Sequence, residues 1–191
     1  MKTFAQRDNY FCVLLDKPEE LDIYAAISNV CYIDKVVNPS VDDEGAADVV
    51  RRARNEGIDF WRNRYEAPDY WPFVLFRKNG DGADAIGVTS VILPEEENVM
   101  QCPLMCSAHI LSGEREQGLA HLLVDASLKF ISQETTYNDV HVLAKKDNAA
   151  SKAALTKRGF YILKRGEKYD RFIGRIPMMQ PRLTAKQPSL L

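Results

Sequence analysis

The stretch His109-Ile-Leu-Ser-Gly-Glu-Arg-Glu-Gln-Gly-Leu-Ala-His121 decides how the chain reads. An extended apolar run ends at Leu111 and a polar, glycine-containing turn follows. Leu119, Leu122, Leu123, Ala126 and Phe130 then recur on one helical face. The spacing predicts a helix from about Gln117. A helix start leaves N–H groups unpaired at the positive end of its macrodipole, and Gly118 lets the backbone come close to a phosphate. Taken alone, the pattern fits plain packing as well as an anion site.

Working outward, Asn9 to Leu15 reads as a strand and Asp16-Lys17-Pro18 as the opening of a helix, with Asp16 as its cap. Leu21, Tyr24, Ala25, Ser28 and Cys31 continue it to a loop at Val36 to Glu44. A second helix runs from about Glu44 to Tyr65, with Gly57 as a dividing point. Phe73 to Arg77 and Ala85 to Leu93 form a hairpin about Asn79-Gly80-Asp81-Gly82. Gln101 to Leu111 and Val140 to Ala144 read as strands, Asn148 to Arg158 as a helix ended by Gly159. Phe160 to Leu163 and Tyr169 to Ile176 close the fold as a hairpin. The expected architecture is α/β: one domain over 1–176, a mixed, mostly antiparallel sheet with helices on both faces, and a flexible tail over 177–191.

Of 191 residues, 46% are hydrophobic and 27% charged, with 25 Lys and Arg against 27 Asp and Glu. That is globular composition, with no global pull toward nucleic acid or acidic membranes. No apolar run is long enough to span a bilayer, and Met1 to Asn9 lacks a signal-peptide core. A cytoplasmic setting with reduced cysteines is the expectation. Cys102, Cys106 and His109 resemble a metal cluster only in composition. On one strand, Cys102 and Cys106 would lie about 13 Å apart, so no metal is expected and the thiols are expected to be buried.

Arg115-Glu116-Gln117-Gly118-Leu119-Ala120 resembles the R/Q-x-x-G-x-G/A signature of the GNAT acyltransferase superfamily. Asn148-Ala-Ala-Ser151…Gly159-Phe160 resembles its second signature, an Asn-led helix ending in Gly-Phe. The likeness covers about Cys102 to Leu163. It implies a GNAT-like domain with a splayed central strand pair, Gln101 to Leu111 and Val140 to Ala144. It also implies an acetyltransferase that uses acetyl-CoA as co-substrate and a primary amine, on a small molecule or a protein, as acceptor. By position, backbone around Ile110 and Leu111 meets the pantetheine, with the N–H near Leu111 polarising the thioester. The N–H groups of Glu116, Gln117, Gly118, Leu119 and Ala120 hold the pyrophosphate under Arg115, and Asn148 and Ser151 meet outer coenzyme A. The rival reading of Arg115 is a solvated helix-start arginine, and the motif around it favours the ligand. Members often dimerise, but nothing in this sequence marks the surface.

The chain departs from the pattern where many members carry an acid tyrosine, because Leu155 occupies that position. Tyr161 reads as a packed strand aromatic. The expected strands carry no glutamate; His109 is the candidate base, since histidine titrates near neutrality, and the alternative is a structural strand histidine. Glu114 or the loop of Glu95, Glu96 and Glu97 offers a water-mediated route, and His121 and His141 read as structural. Trp61, Tyr65, Tyr70 and Trp71 read as half-buried core or as a substrate lid. A degenerate acyl-CoA sensor without turnover is the alternative to an enzyme.

Overall fold

The computed structural model describes residues 2–15, 20–37, 44–65, 67–94, 102–106 and 108–176. The Asp16 cap, the loop of Glu95 to Glu97 and the tail over 177–191 lie outside the described residues. The elements in chain order are β1 (Lys2–Arg7), β2 (Tyr10–Leu14), α1 (Leu21–Val37), α2 (Glu44–Glu56), α3 (Ile58–Tyr65), β3 (Tyr70–Asn79) and β4 (Gly82–Ile92). Next come β5 (Leu104–Met105), β6 (His109–Ile110), α4 (Ala120–Glu134), β7 (Asp139–Lys145), α5 (Ala149–Lys157), β8 (Tyr161–Arg165) and β9 (Tyr169–Arg175).

All nine strands join one sheet in the order β1-β2-β3-β4-β5-β7-β9-β8, with β6 pairing only β4. Every pairing is antiparallel except β5 with β7. Helices cover both faces, so β2 and β3 are apolar almost continuously and alternation sorts their side chains between two cores. Cys12, Leu14, Phe73 and Leu75 pack toward α4 with Leu123 and Phe130. Val13, Leu15, Val74 and Phe76 pack toward α1 and α3 with Tyr24, Phe60 and Trp61. The predicted face of α4 is buried in full, and Gly57, at φ +61, separates α2 from α3.

Three elements differ from the sequence reading. The sheet begins one strand earlier, at β1, whose inward signal rests mainly on Phe4, edge-on to Phe73 and Phe130. Helix α4 starts at Ala120, not Gln117, because Glu116 (φ +66) and Gly118 (φ +69) are left-handed and cannot continue a right-handed helix. The expected strand over 101–111 is broken into β5 and β6. Met105 pairs Val91 but His109 pairs Val88, so the register slips by one residue between them. An extra residue in one strand of an antiparallel pair is a β-bulge, which bends the strand and re-aims the residues beyond it.

The bulge opens the sheet. Before it, β5 is hydrogen-bonded to both β4 and β7; after it, β6 keeps β4 alone. The approach of β6 to β4 is close: a Cβ on Gly87 would lie 2.7 Å from the His109 carbonyl oxygen and 2.6 Å from Ile110 Cδ1. Gly87→Ala should therefore cost about 1–3 kcal/mol of stability through overpacking, read as a lower urea midpoint at unchanged m-value. An unchanged midpoint would mean that β6 is free to move away from β4.

Candidate functional site

The gap beside β6 has a defined polar edge. Leu111 N–H donates to the Ile86 carbonyl at 3.0 Å, and antiparallel strands alternate the direction of their polar groups. The Ile110 N–H and C=O therefore face away from β4, into the gap. Of the two residues expected at the gap, Leu111 is bonded across the sheet and Ile110 carries the outward N–H. The Ile110 carbonyl accepts from Arg115 Nε at 3.1 Å, and the Arg115 guanidinium also pairs with Asp34 of α1.

Beyond Ile110, a 3₁₀ turn over Ser112–Glu114 leads into the loop before α4. Glu116 and Gly118 are left-handed, and left-handed residues alternating with right-handed ones are the backbone pattern that can gather N–H groups around an anion. The N–H groups of Glu116, Gln117, Gly118, Leu119 and Ala120 enter none of the loop's backbone hydrogen bonds among the described residues. Residues 115–118 are exposed, whereas the Leu119 side chain anchors the loop in the core. Arg7 stands against this loop, donating to the Gln117 carbonyl at 3.0 Å, and Tyr10 donates to the Gln117 side chain. Neither was legible in the sequence, because only the β1–β2 pairing carries them there. Arg115, expected over the loop, is instead tied to β6 and α1.

The second signature has a plain local function. Asn148 Oδ1 accepts from the Ser151 N–H at 2.9 Å and caps α5. Gly159, at φ +81, ends that helix with a Cβ-free left-handed turn. Leu155 is buried in the core, so this position contributes no proton donor. Tyr161 is 61% exposed rather than packed. Glu114 is ion-paired with Arg77 at 2.6 Å.

On the α1 side of the gap lies a cavity of about 280 Å³. Tyr24, Ser28 and Tyr32, one helical turn apart on α1, form one wall, with Trp61 and Tyr70 beside them. Leu104, Met105, Cys106 and His109 form the β5–β6 side, and Leu143 of β7 and Tyr169 of β9 close the opposite side. The cavity therefore spans the splay. His109 is 8% exposed, with its ring 5.0 Å from that of Tyr32. The Tyr24 and Tyr70 hydroxyls share a hydrogen bond of 2.7 Å, and burial first, then Tyr70, pushes the Tyr24 phenol well above its ordinary range. Among the described lining residues there is no carboxylate, lysine or arginine.

The aromatic cluster before Pro72 is divided by the sheet. Trp61 and Tyr70 reach the cavity, Trp71 packs on Phe130 in the other core, and the Tyr65 side chain lies outside the described residues. Cys12 and Cys31 are buried as expected, but Cys102 and Cys106 are only half-buried. Among the described residues, no three His, Cys, Asp or Glu side chains come together as a metal site, and no helix is long and apolar enough to cross a membrane.

The sequence pattern of the acetyltransferase (GNAT) domain matches residues 13–161. Among curated proteins, none matches the chain in sequence. Solved structures share the fold at low identity. RimL, a ribosomal α-N-protein acetyltransferase in complex with coenzyme A, superposes with a TM-score of 0.68 at 11% identity, covering 93% of this chain and 100% of its own. A ribosomal-protein-S5-alanine acetyltransferase from Vibrio fischeri gives 0.64 at 12%, with 95% and 100% covered. The PaiA N-acetyltransferase from Thermoplasma acidophilum, in complex with coenzyme A, gives 0.61 at 9%, with 86% and 98% covered.

His121 and His141 flank the site, and both titrate below the ordinary histidine value. Burial is the larger cause in each; Arg158 adds to it at His121 and Arg171 at His141. His121 Nδ1 accepts from Arg158 Nε at 3.3 Å, in keeping with a structural role. A pKa lowered on folding means that the unfolded chain binds the proton more readily. Stability is then full above the unfolded-state pKa and is lost as pH falls through it toward the folded value. The melting temperature should accordingly fall between about pH 7.5 and about pH 5.5, the window set by ordinary histidine titration. In His121→Asn/His141→Asn the fall should flatten, and an equally steep double variant would assign the loss to other groups.

Proposed function

The chain belongs to the acetyltransferase (GNAT) family, and on that premise we propose that it moves the acetyl group of acetyl-CoA to a primary amine by direct attack in a ternary complex. The observation that carries this reading is the cavity spanning the splay, with His109 in its wall and the outward Ile110 N–H on the strand beside it. In the proposed arrangement pantetheine lies along the free edge of β6 and the pyrophosphate rests on the N–H groups of Glu116 to Ala120. Arg7 approaches the phosphates from β1, and Asn148 and Ser151 border outer coenzyme A.

His109 takes the proton of the amine, whose nitrogen then attacks the thioester carbon. The C–N bond forms, the Ile110 N–H stabilises the charge gathering on oxygen, and the C–S bond breaks. Coenzyme A leaves as a thiolate whose ordinary pKa, about 8.5, makes it a tolerable leaving group. Leu155 supplies no acid, so the second proton of the acylated nitrogen passes to the departing sulfur, directly or through a cavity hydroxyl, and His109 releases the first to solvent.

The uncharged lining favours an α-amine over a polyamine or a lysine side chain. Stripping the proton from an α-amino group at pH 7 costs about 1 kcal/mol, against about 4–5 kcal/mol for an alkylamine. The described lining residues offer an ammonium no formal counter-charge to offset its desolvation. Acceptor attack on a protein or peptide N-terminus is the form of the reading that this lining supports.

Two experiments test it. Calorimetry should give micromolar acetyl-CoA binding, about −8 kcal/mol. In Gly118→Glu the affinity should fall by about a hundredfold or more, through backbone strain at φ +69 and repulsion of the phosphates. Normal binding by that variant would remove the loop from the site. His109→Gln should lower kcat by about 10²–10⁴ with little change in acetyl-CoA affinity, and should abolish the acidic limb of the pH–rate profile. Coenzyme A binding without thiol release across an α-amine and alkylamine panel would instead identify a sensor.

A further inference from the structure

The helices of the α1 layer stop short of the sheet's far end. Helix α1 packs on β3, β4 and β6, and α3 packs on β3. On the face of β7, β9 and β8 that continues past the cavity, alternation and register bring His141, Ile173 and Tyr161 into one row and Leu143, Arg171 and Lys164 into the next. Leu143, Tyr161 and Tyr169 are 45%, 61% and 42% exposed, so among the described residues no helix covers this partly apolar surface. It is also basic: Lys145, Lys164, Arg171 and Arg175 share the face with Asp139. The bias reaches beyond these strands. Residues 139–176 hold ten Lys and Arg against four Asp and Glu, while residues 1–138 hold thirteen against 23.

The surface is continuous with the acceptor cavity, because Leu143 and Tyr169 belong to both. The cavity, at about 280 Å³, lies at the small end of ligand sites and accommodates little more than an end group. The face adjoins the cavity at Leu143 and Tyr169, so the remainder of a longer acceptor has a path over it. From β7 to β8 is two strand spacings, about 10 Å, which about three extended residues cross.

We propose that the uncovered face of β7, β9 and β8 docks an acidic polypeptide whose N-terminal amine enters the cavity, its carboxylates at about the third to sixth positions reading Arg171, Lys164 and Lys145. This rests on the acetyl-transfer reading for the amine and on charge complementarity for the docking. A polypeptide fits better than a nucleic acid, since nucleobase amines are delocalised into their rings and make poor nucleophiles. The apolar rows between the cations suit side chains of a peptide that lies across the strands.

The test uses the full chain and three short peptides, labelled at the C-terminus. They share their first two residues and carry Glu, Gln or Lys at positions three to six. By fluorescence anisotropy the Glu peptide should bind most tightly, and its advantage should collapse on raising salt from about 50 to about 300 mM. The double reversal Arg171→Glu/Lys164→Glu should weaken the Glu peptide about five- to tenfold or more and turn the preference to the Lys peptide, with acetyl-CoA affinity unchanged. Equal binding of the three peptides, or an acidic preference that survives both reversal and salt, overturns the proposal. So does tighter binding of a single-stranded RNA of similar length, or a dimer of this chain that the reversal dissociates. The two readings fail separately: a Glu peptide that binds without thiol release leaves the docking face and removes the transfer. Turnover of small amines without any peptide preference does the opposite.

Discussion

A one-residue slip between β4 and the strand after it is the constraint on which the rest of the site depends. Up to Met105 the backbone hydrogen bonds are shared on both sides, to β4 and to β7. After the slip, β6 can satisfy only β4, because the extra residue has turned it from its former neighbour. Buried backbone groups without partners are costly, and here the Ile110 carbonyl finds Arg115 while the gap beside β6 stays open. Gly87 makes the arrangement sterically feasible, since any side chain there would meet the His109 carbonyl.

Arg115 ties three parts of the molecule together. Its guanidinium joins the β6 backbone to Asp34 of α1, while its own backbone begins the loop before α4. The cavity helix, the opened strand and the loop before α4 are thereby held by one side chain. On the opposite side of the loop, Arg7 and Tyr10 grip Gln117 from β1 and β2. The loop is exposed but not slack, with Leu119 as its apolar anchor.

Charge and burial divide the labour. The cavity is walled by hydroxyl and aromatic groups and, among its described residues, excludes formal charge. The cations of the C-terminal strands lie outside it, in water, where their long-range field acts on association more than on stability.

Local pattern determined a good deal. The helical period of Leu119 to Phe130, the Gly57 break, the Gly80-Asp81 turn and the Gly159 helix end are short-range signals that the structure keeps, although α4 starts three residues later than expected. The two spaced signatures pointed to the acetyl-CoA family on the same grounds. What local pattern could not carry was pairing. Strand β1 has one strong inward residue and no period to detect, so Arg7 was invisible beside the loop. The bulge is a relation between two strands and leaves no mark in either alone. The Tyr24, Ser28 and Tyr32 stripe was visible as helix but not as a cavity wall, since nothing within α1 says that the sheet opposite is open. Hydrogen bonds within a helix or tight turn are set by residues a few positions apart. Those that opened this sheet, and the alternation that left its far face uncovered, join residues brought together only by the tertiary fold.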